Sequence, residues 1–82
     1  MIVTSKTPKL DLHSEITAMV EVLVNEFIKD NYLQNIKVVR IVHGKSTNIL
    51  TKEVHRILKK NNMVTTYRIN NWNLGETLVK IK

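Results

Sequence analysis

The run IKVVRIVHG at residues 36–44 restricts the fold more than any other stretch of the chain. It is rich in β-branched residues and apolar on both parities, apart from Lys37 and Arg40. Such a run suits the central strand of a parallel pair, where both faces of the strand are covered. A parallel neighbour cannot be reached by a tight hairpin and needs a crossover, usually a helix. A helical pattern lies on each side. Upstream, Ile16, Met19, Val20, Leu23, Val24, Phe27 and Ile28 recur at helical spacing, with Glu15, Glu21, Asn25, Glu26 and Lys29 opposite them. Ser14 stands where an N-cap belongs, and Glu15 would occupy the first turn. Downstream, Leu50, Val54, Ile57 and Leu58 mark a second helix, capped by Thr47, Asn48 or Thr51 and ending near Lys59-Lys60-Asn61-Asn62.

Three further segments alternate as strands: KLDLH (9–13), VTTYRI (64–69) and TLVKI (77–81). NNWNLG links the last two, with Gly75 supplying backbone freedom for the turn. The order is β-α-β-α-β-β, a small two-layer α/β sandwich with a four-stranded mixed sheet whose last strand returns as a hairpin partner. Right-handed crossovers put both helices on one face if the strand order runs steadily, and on opposite faces if it reverses. With 82 residues there is room for one domain, expected at 9–82 after a leader or linker at 1–8. The absence of cysteine excludes disulfides and thiolate metal sites. No apolar run approaches the roughly 20 residues that span a bilayer, and the first residues do not form a signal peptide, so a soluble cytoplasmic protein with no membrane partner is expected.

Net charge is +6 and unevenly placed. Residues 1–35 hold three bases and five acids, whereas residues 36–82 hold ten bases and only Glu53 and Glu76 as acids. A lopsided basic balance favours a polyanionic partner, since binding releases condensed counterions. The plainer alternative is a chain that its lysines merely keep dispersed.

In open sheets, ligands gather beyond the carboxyl ends of parallel strands. His13 closes the first strand and His43 the second, and HGKST (43–47) follows at once. Gly-Lys-Ser also ends the nucleotide-binding P-loop, but that motif needs a glycine where Val39 stands in a strand, so no ATP or GTP site is expected. Gly44 lets the chain turn sharply, and the start of the next helix offers unpaired amides to a phosphate. Lys45 adds charge, and Ser46 and Thr47 add hydroxyl donors; an ordinary β–α turn is the alternative. His13 and His43 suit acid–base work on a phosphodiester, because imidazole titrates near neutral pH. A strand-end histidine that only bonds backbone is the alternative for each. Asp11 shares a strand face with His13 and could orient the imidazole or take a divalent metal. Lys52, Arg56, Lys59 and Lys60 join Lys45 as a basic face fit for a phosphate backbone, and His55 reads as a solvated member of it. Trp72, the only tryptophan, reads as a cover over the end of the core, with stacking on an unpaired base as the alternative.

LDLHS (10–14), VRIVHGKST (39–47) and LGETLVKIK (74–82) together resemble the small MutS-related (Smr) domain, whose usual motifs are Leu-Asp-Leu-His-Gly, His-Gly-Lys-Gly-Thr-Gly and Gly-x-Thr-hydrophobic-Val. The resemblance runs from Lys9 to Lys82. It implies a fold similar to the C-terminal domain of bacterial initiation factor three. It also implies binding to branched or structured DNA or RNA and, in many members, nicking endonuclease activity. Position by position it carries over to Asp11, Leu12 and His13, to His43, Gly44, Lys45 and Thr47, and to Gly75 and Thr77. It further implies either a stand-alone protein or the C-terminal part of a larger MutS-like ATPase. Ser14, Ser46 and Asn48 stand where the family usually has glycine, which bears on how closely the loop meets a phosphate.

The expectation is therefore an endonuclease. Asp11 and His13 activate water or hold magnesium or manganese, and His43 assists as acid or orienter. The second helix start, with Lys45, holds the scissile phosphate. The alternatives are a non-catalytic nucleic-acid-binding module and a protein-interaction domain that docks through the acidic face of the first helix.

Overall fold

The computed structural model describes residues 1–45 and 48–82. The elements run β1 (Lys9–Asp11), α1 (Thr17–Leu33), β2 (Val38–Val42), α2 (Asn48–Lys60), β3 (Val64–Asn70) and β4 (Asn73–Ile81), the order read from the sequence. The four strands form one mixed sheet in the order β1-β2-β4-β3. β1 and β2 are parallel, with Asp11 beside Val42. β4 is antiparallel to both β2 and β3, so the last strand fills the gap between them as well as closing the hairpin. The order runs steadily from β1 outward, and both helices lie on one face.

Val39, Ile41, Val79 and Ile81 point from the sheet into a core completed by Val20, Val24 and Ile28 of α1 and by Val54, Ile57 and Leu58 of α2. Val38, Arg40 and Val42 face the other way and are half-buried. That side is covered by the N-terminal segment, not by a helix. The Pro8 carbonyl accepts the Arg40 N–H at 2.8 Å, and the Thr7 carbonyl accepts from the Arg40 guanidinium at 2.8 Å. A helical layer on one face and chain 1–8 on the other explain why β2 is apolar on both parities.

Three local expectations are corrected. Ser14 does not cap α1, because Leu12 is fully buried and the chain then makes a turn closed by Glu15 N–H to the Leu12 carbonyl at 2.9 Å. The helix starts beyond that turn, with Ile16 at its N-cap, and so Ile16 and Met19 remain exposed ahead of the buried stripe. β4 begins at Asn73, not Thr77, leaving only Asn71 and Trp72 as the hairpin turn. Trp72 is 96% exposed and covers no core, since this short turn carries it past the end of the sheet. α1 ends where Asn35 takes a left-handed φ of 61°. Its N–H bonds the Tyr32 carbonyl, and the Ile36 N–H bonds that of Asn31, which is the Schellman pattern. Among the described residues, no helix is long and apolar enough to cross a membrane.

Candidate active site at the carboxyl rim of the sheet

The parallel pairing of β1 and β2 brings their carboxyl ends side by side, and the antiparallel β4 begins at the same edge. The Leu12 N–H bonds the Val42 carbonyl at 2.7 Å, which fixes His13 beside Gly44. The Asp11 carboxylate grips His13 twice, accepting from its backbone N–H at 3.1 Å and pairing with Nδ1 at 2.5 Å. Nδ1–H toward Asp11 leaves Nε2 as the free nitrogen of a ring that is well exposed. The hydrogen bonds from His13 hold the Asp11 carboxyl below its ordinary range.

Gly44 adopts a φ of 85°, a left-handed angle that strains any residue with a Cβ. Its amide and that of His43 both donate to the Gly75 carbonyl, each at 2.9 Å. The Gly44 N–H is therefore committed within the fold, and this residue shapes the turn but offers no amide to a phosphate. Gly75 is pressed into place: a Cβ there would lie 3.2 Å from Lys45 Cγ and 3.4 Å from the Gly44 carbonyl carbon. A register irregularity between Ile69 and Asn70 admits this approach of β4 to the β2 exit. Lys45 is exposed on the rim, and a shallow cleft beside it is lined by Gly44, Asn48, Thr51, Ile69 and Leu74. Ser46 and Thr47, expected as hydroxyl donors to phosphate, lie outside the described residues. Ser14 does not have a positive φ, so it does not need the freedom of the glycine that the family motif carries there.

His43 is only 4% exposed. Its Nδ1 meets Thr51 Oγ1 at 2.9 Å and the Gly44 carbonyl at 3.1 Å, and its Nε2 meets Thr77 Oγ1 at 2.9 Å. A direct acid role for His43 does not fit this enclosure, although its strand end adjoins His13. His55 is also corrected. It is half-buried, its Nε2 is 2.7 Å from the same Thr77 hydroxyl, and its ring packs 4.9 Å from that of Tyr67. One hydroxyl can donate to one imidazole and accept from the other, so Thr77 joins the two rings in a chain with Thr51. Burial, and then the proximity of His43, push the His55 pKa down. Thr51, His55 and Leu58 follow helical i, i+4, i+7 spacing, the signal that could have placed His55 on the flank of α2 facing the sheet.

The basic face of α2 is not a single feature of this rim. Arg56 pairs with Glu53 and, at 3.7 Å, with Glu21 of α1. Lys59 and Lys60 lie in the last helical turn. A rise of about 1.5 Å per residue puts that turn roughly 18 Å from Asn48. Lys45 is the cation at the Gly44–Gly75 turn, whereas Lys52, one turn into α2, lies in a groove with Thr17, Ile49, Glu53 and Arg56. Among the described residues, no three His, Asp or Glu side chains converge as a metal cage. Asp11 already has Oδ1 engaged by His13. Among the described residues, the side chains at the rim do not by themselves form a magnesium or manganese site.

Fold and rim together define a small two-layer α/β domain that presents a carboxylate-held histidine beside a glycine-lysine turn. The family model described as Smr domain matches residues 10–82, and the chain belongs to the Smr domain family. A protein described as Endonuclease MutS2 from Halothermothrix orenii is 36% identical over 75 residues, covering 92% of this chain and 10% of that protein. A second, from Agathobacter rectalis, is 31% identical over 77 residues, covering 94% and 10%. The chain thus spans about a tenth of the length of these curated relatives. The Smr domain of Thermus thermophilus MutS2 has the same fold, with a TM-score of 0.88 at 19% identity, covering 93% of this chain and 99% of that one. So does YdaL, a stand-alone small MutS-related protein from Escherichia coli, with a TM-score of 0.87 at 23% identity, covering 95% and 69%.

Proposed function

We propose that this domain binds nucleic acid along the carboxyl rim and hydrolyses a phosphodiester there, with His13 as the general base. The observation that supports this most is the exposed His13 ring, held by Asp11 and set beside Gly44 and the Lys45 turn. The name of the MutS2 relatives, endonuclease, points the same way, as does the crowding of basic residues into positions 36–82. In this mechanism His13 Nε2 takes a proton from water as the water oxygen bonds to phosphorus. The bond to the leaving oxygen breaks, and that oxygen takes a proton from the imidazolium or from solvent. Asp11 fixes the tautomer and balances the imidazolium. The Lys45 ammonium offsets the charge that builds on the phosphoryl oxygens. His43, closed off from substrate, sets the Gly44 carbonyl and Thr51 from behind. In the cell the domain would work within the cytoplasm, alone or as part of a larger MutS-like chain.

A non-catalytic module that only recognises structured DNA or RNA is the second reading, favoured by the enclosure of His43, which leaves one exposed imidazole at the rim. A panel of duplex, branched and single-stranded DNA and RNA, with magnesium, manganese or chelator, separates the two. Catalysis predicts nicking that His13→Ala lowers by about a hundredfold or more while binding persists. Equal cleavage by wild type and His13→Ala removes the proposed site, and binding without any cleavage leaves the second reading.

A further inference from the structure

We propose that Trp72, at the tip of the β3–β4 hairpin, is a stacking platform for an unpaired base, so that the preferred substrate carries an unpaired nucleotide a few nucleotides from the phosphodiester that is cut. This rests on the nucleic-acid reading above and narrows its substrate. Trp72 and its neighbour Leu74 are 96% and 62% exposed. An indole left in water at such an extent marks a contact surface. The tip that carries it is braced. Asn70 Oδ1 accepts the Trp72 N–H at 3.0 Å, Asn73 Oδ1 accepts the Gly75 N–H at 3.0 Å, and Asn70 Nδ2 donates to the buried Glu76 carboxylate at 2.7 Å. The backbone under the indole is thus fixed before any ligand arrives, which lowers the ordering cost of binding.

The position of the tip identifies the ligand. Along the rim the strands come in the order β1, β2, β4, β3, so the hairpin stands on the far side of the Gly44–Lys45 turn from His13. With strands about 4.8 Å apart and the tip reaching past the row of Asp11, Val42 and Glu76 at about 3.3 Å per residue, the tip lies roughly 17 Å from the Asp11–His13 pair. A backbone that crosses the rim past Lys45 carries a base a few nucleotides away over the indole. Arg68 and Asn71 line a groove with Trp72, beside the apolar Met1, Val3 and Leu78, and their guanidinium and amide groups suit phosphate and base edges. Arg68 in the groove with the indole, and Lys45 in the cleft beside Leu74, favour a polyanion over the apolar side chain of a protein partner. Every base has a π face, so stacking accepts any sequence, but the base must be out of the duplex.

Because Trp72 is the only tryptophan, its emission reports directly on stacking. Oligo(dT), oligo(U) and a duplex with a bulged nucleotide should quench it. They should bind Trp72→Ala about ten- to a hundredfold more weakly than wild type. Trp72→Phe should lie between, and a fully paired blunt-ended duplex should bind wild type and variants alike. Binding without quenching, or with affinity unchanged in Trp72→Ala, overturns the platform and leaves the nucleic-acid reading intact. Equal weakening for the paired duplex also overturns it. Failure of wild type to bind any of these at low salt removes both readings. The thermal melt of Trp72→Ala checks the fold, and Trp72→Phe supplies the comparison if alanine destabilises the tip.

Discussion

His13 and His43 end neighbouring strands, yet the two imidazoles meet different surroundings. The parity of LDLH places Asp11 and His13 on one side of a strand, and their hydrogen bonds follow directly from that spacing. This part of the site was legible. The enclosure of His43 was not, because it depends on Thr51 and Thr77, brought from α2 and β4. The exposure of Trp72 was hidden for a similar reason: a single aromatic in a turn gives no period from which to read its burial. Asp11→Asn keeps an acceptor oxygen near Nδ1 but removes the charge that balances an imidazolium. We expect kcat to fall about tenfold or more with KM little changed, read from steady-state nicking kinetics. The same pair makes a small contribution to stability, since both groups are exposed. The Asp11 pKa is depressed below 3.8, so this contribution is present above that pH and fades as pH drops through the folded value.

At the scale of elements, α2 does more than cover the sheet. Its Thr51 and His55 reach under the rim and meet the buried His43–Thr77 pair, so the helix start and β4 are joined by part-buried polar contacts. Thr77→Val keeps the shape and strands two imidazole nitrogens, at a cost of about 1–3 kcal/mol in denaturant titrations. The His55 pKa lies below its ordinary 6.5, so the unfolded chain takes up the proton first as pH falls. Stability should be level above neutrality and decline as pH drops below about 6.5, down to the folded pKa, and His55→Gln should flatten that decline. Equal pH curves for the two proteins would contradict this origin. Helical periodicity located α1 and α2, but His55 sits at the border between the solvent face and the core face, where the sheet beneath decides the outcome.

For the whole molecule, the segregation of charge and the element order were open to reading, whereas the neighbours of β4 were not. Alternation tells which face a side chain takes and says nothing of which strand lies alongside. The charge itself leads to a salt test. Affinity for a DNA duplex or single strand should fall steeply with salt, and Lys45→Ala should lower the slope of log K against log[salt] by about 1. Lys59→Ala, at the far end of α2, should change it less. Equal slopes for the two variants would remove the rim as the place where the backbone lies.

The insertion of β4 between β2 and β3 bears on how the domain matures. As the last of the described elements in chain order, it supplies both the middle of the sheet and, through Gly75, the carbonyl that ties down the His43 and Gly44 amides. Until it docks, β3 has no strand to join and the glycine-lysine bend has no anchor. A chain in which β4 has not docked therefore cannot hold the His43–Gly44 bend in place, and the rim takes shape only when this strand is inserted.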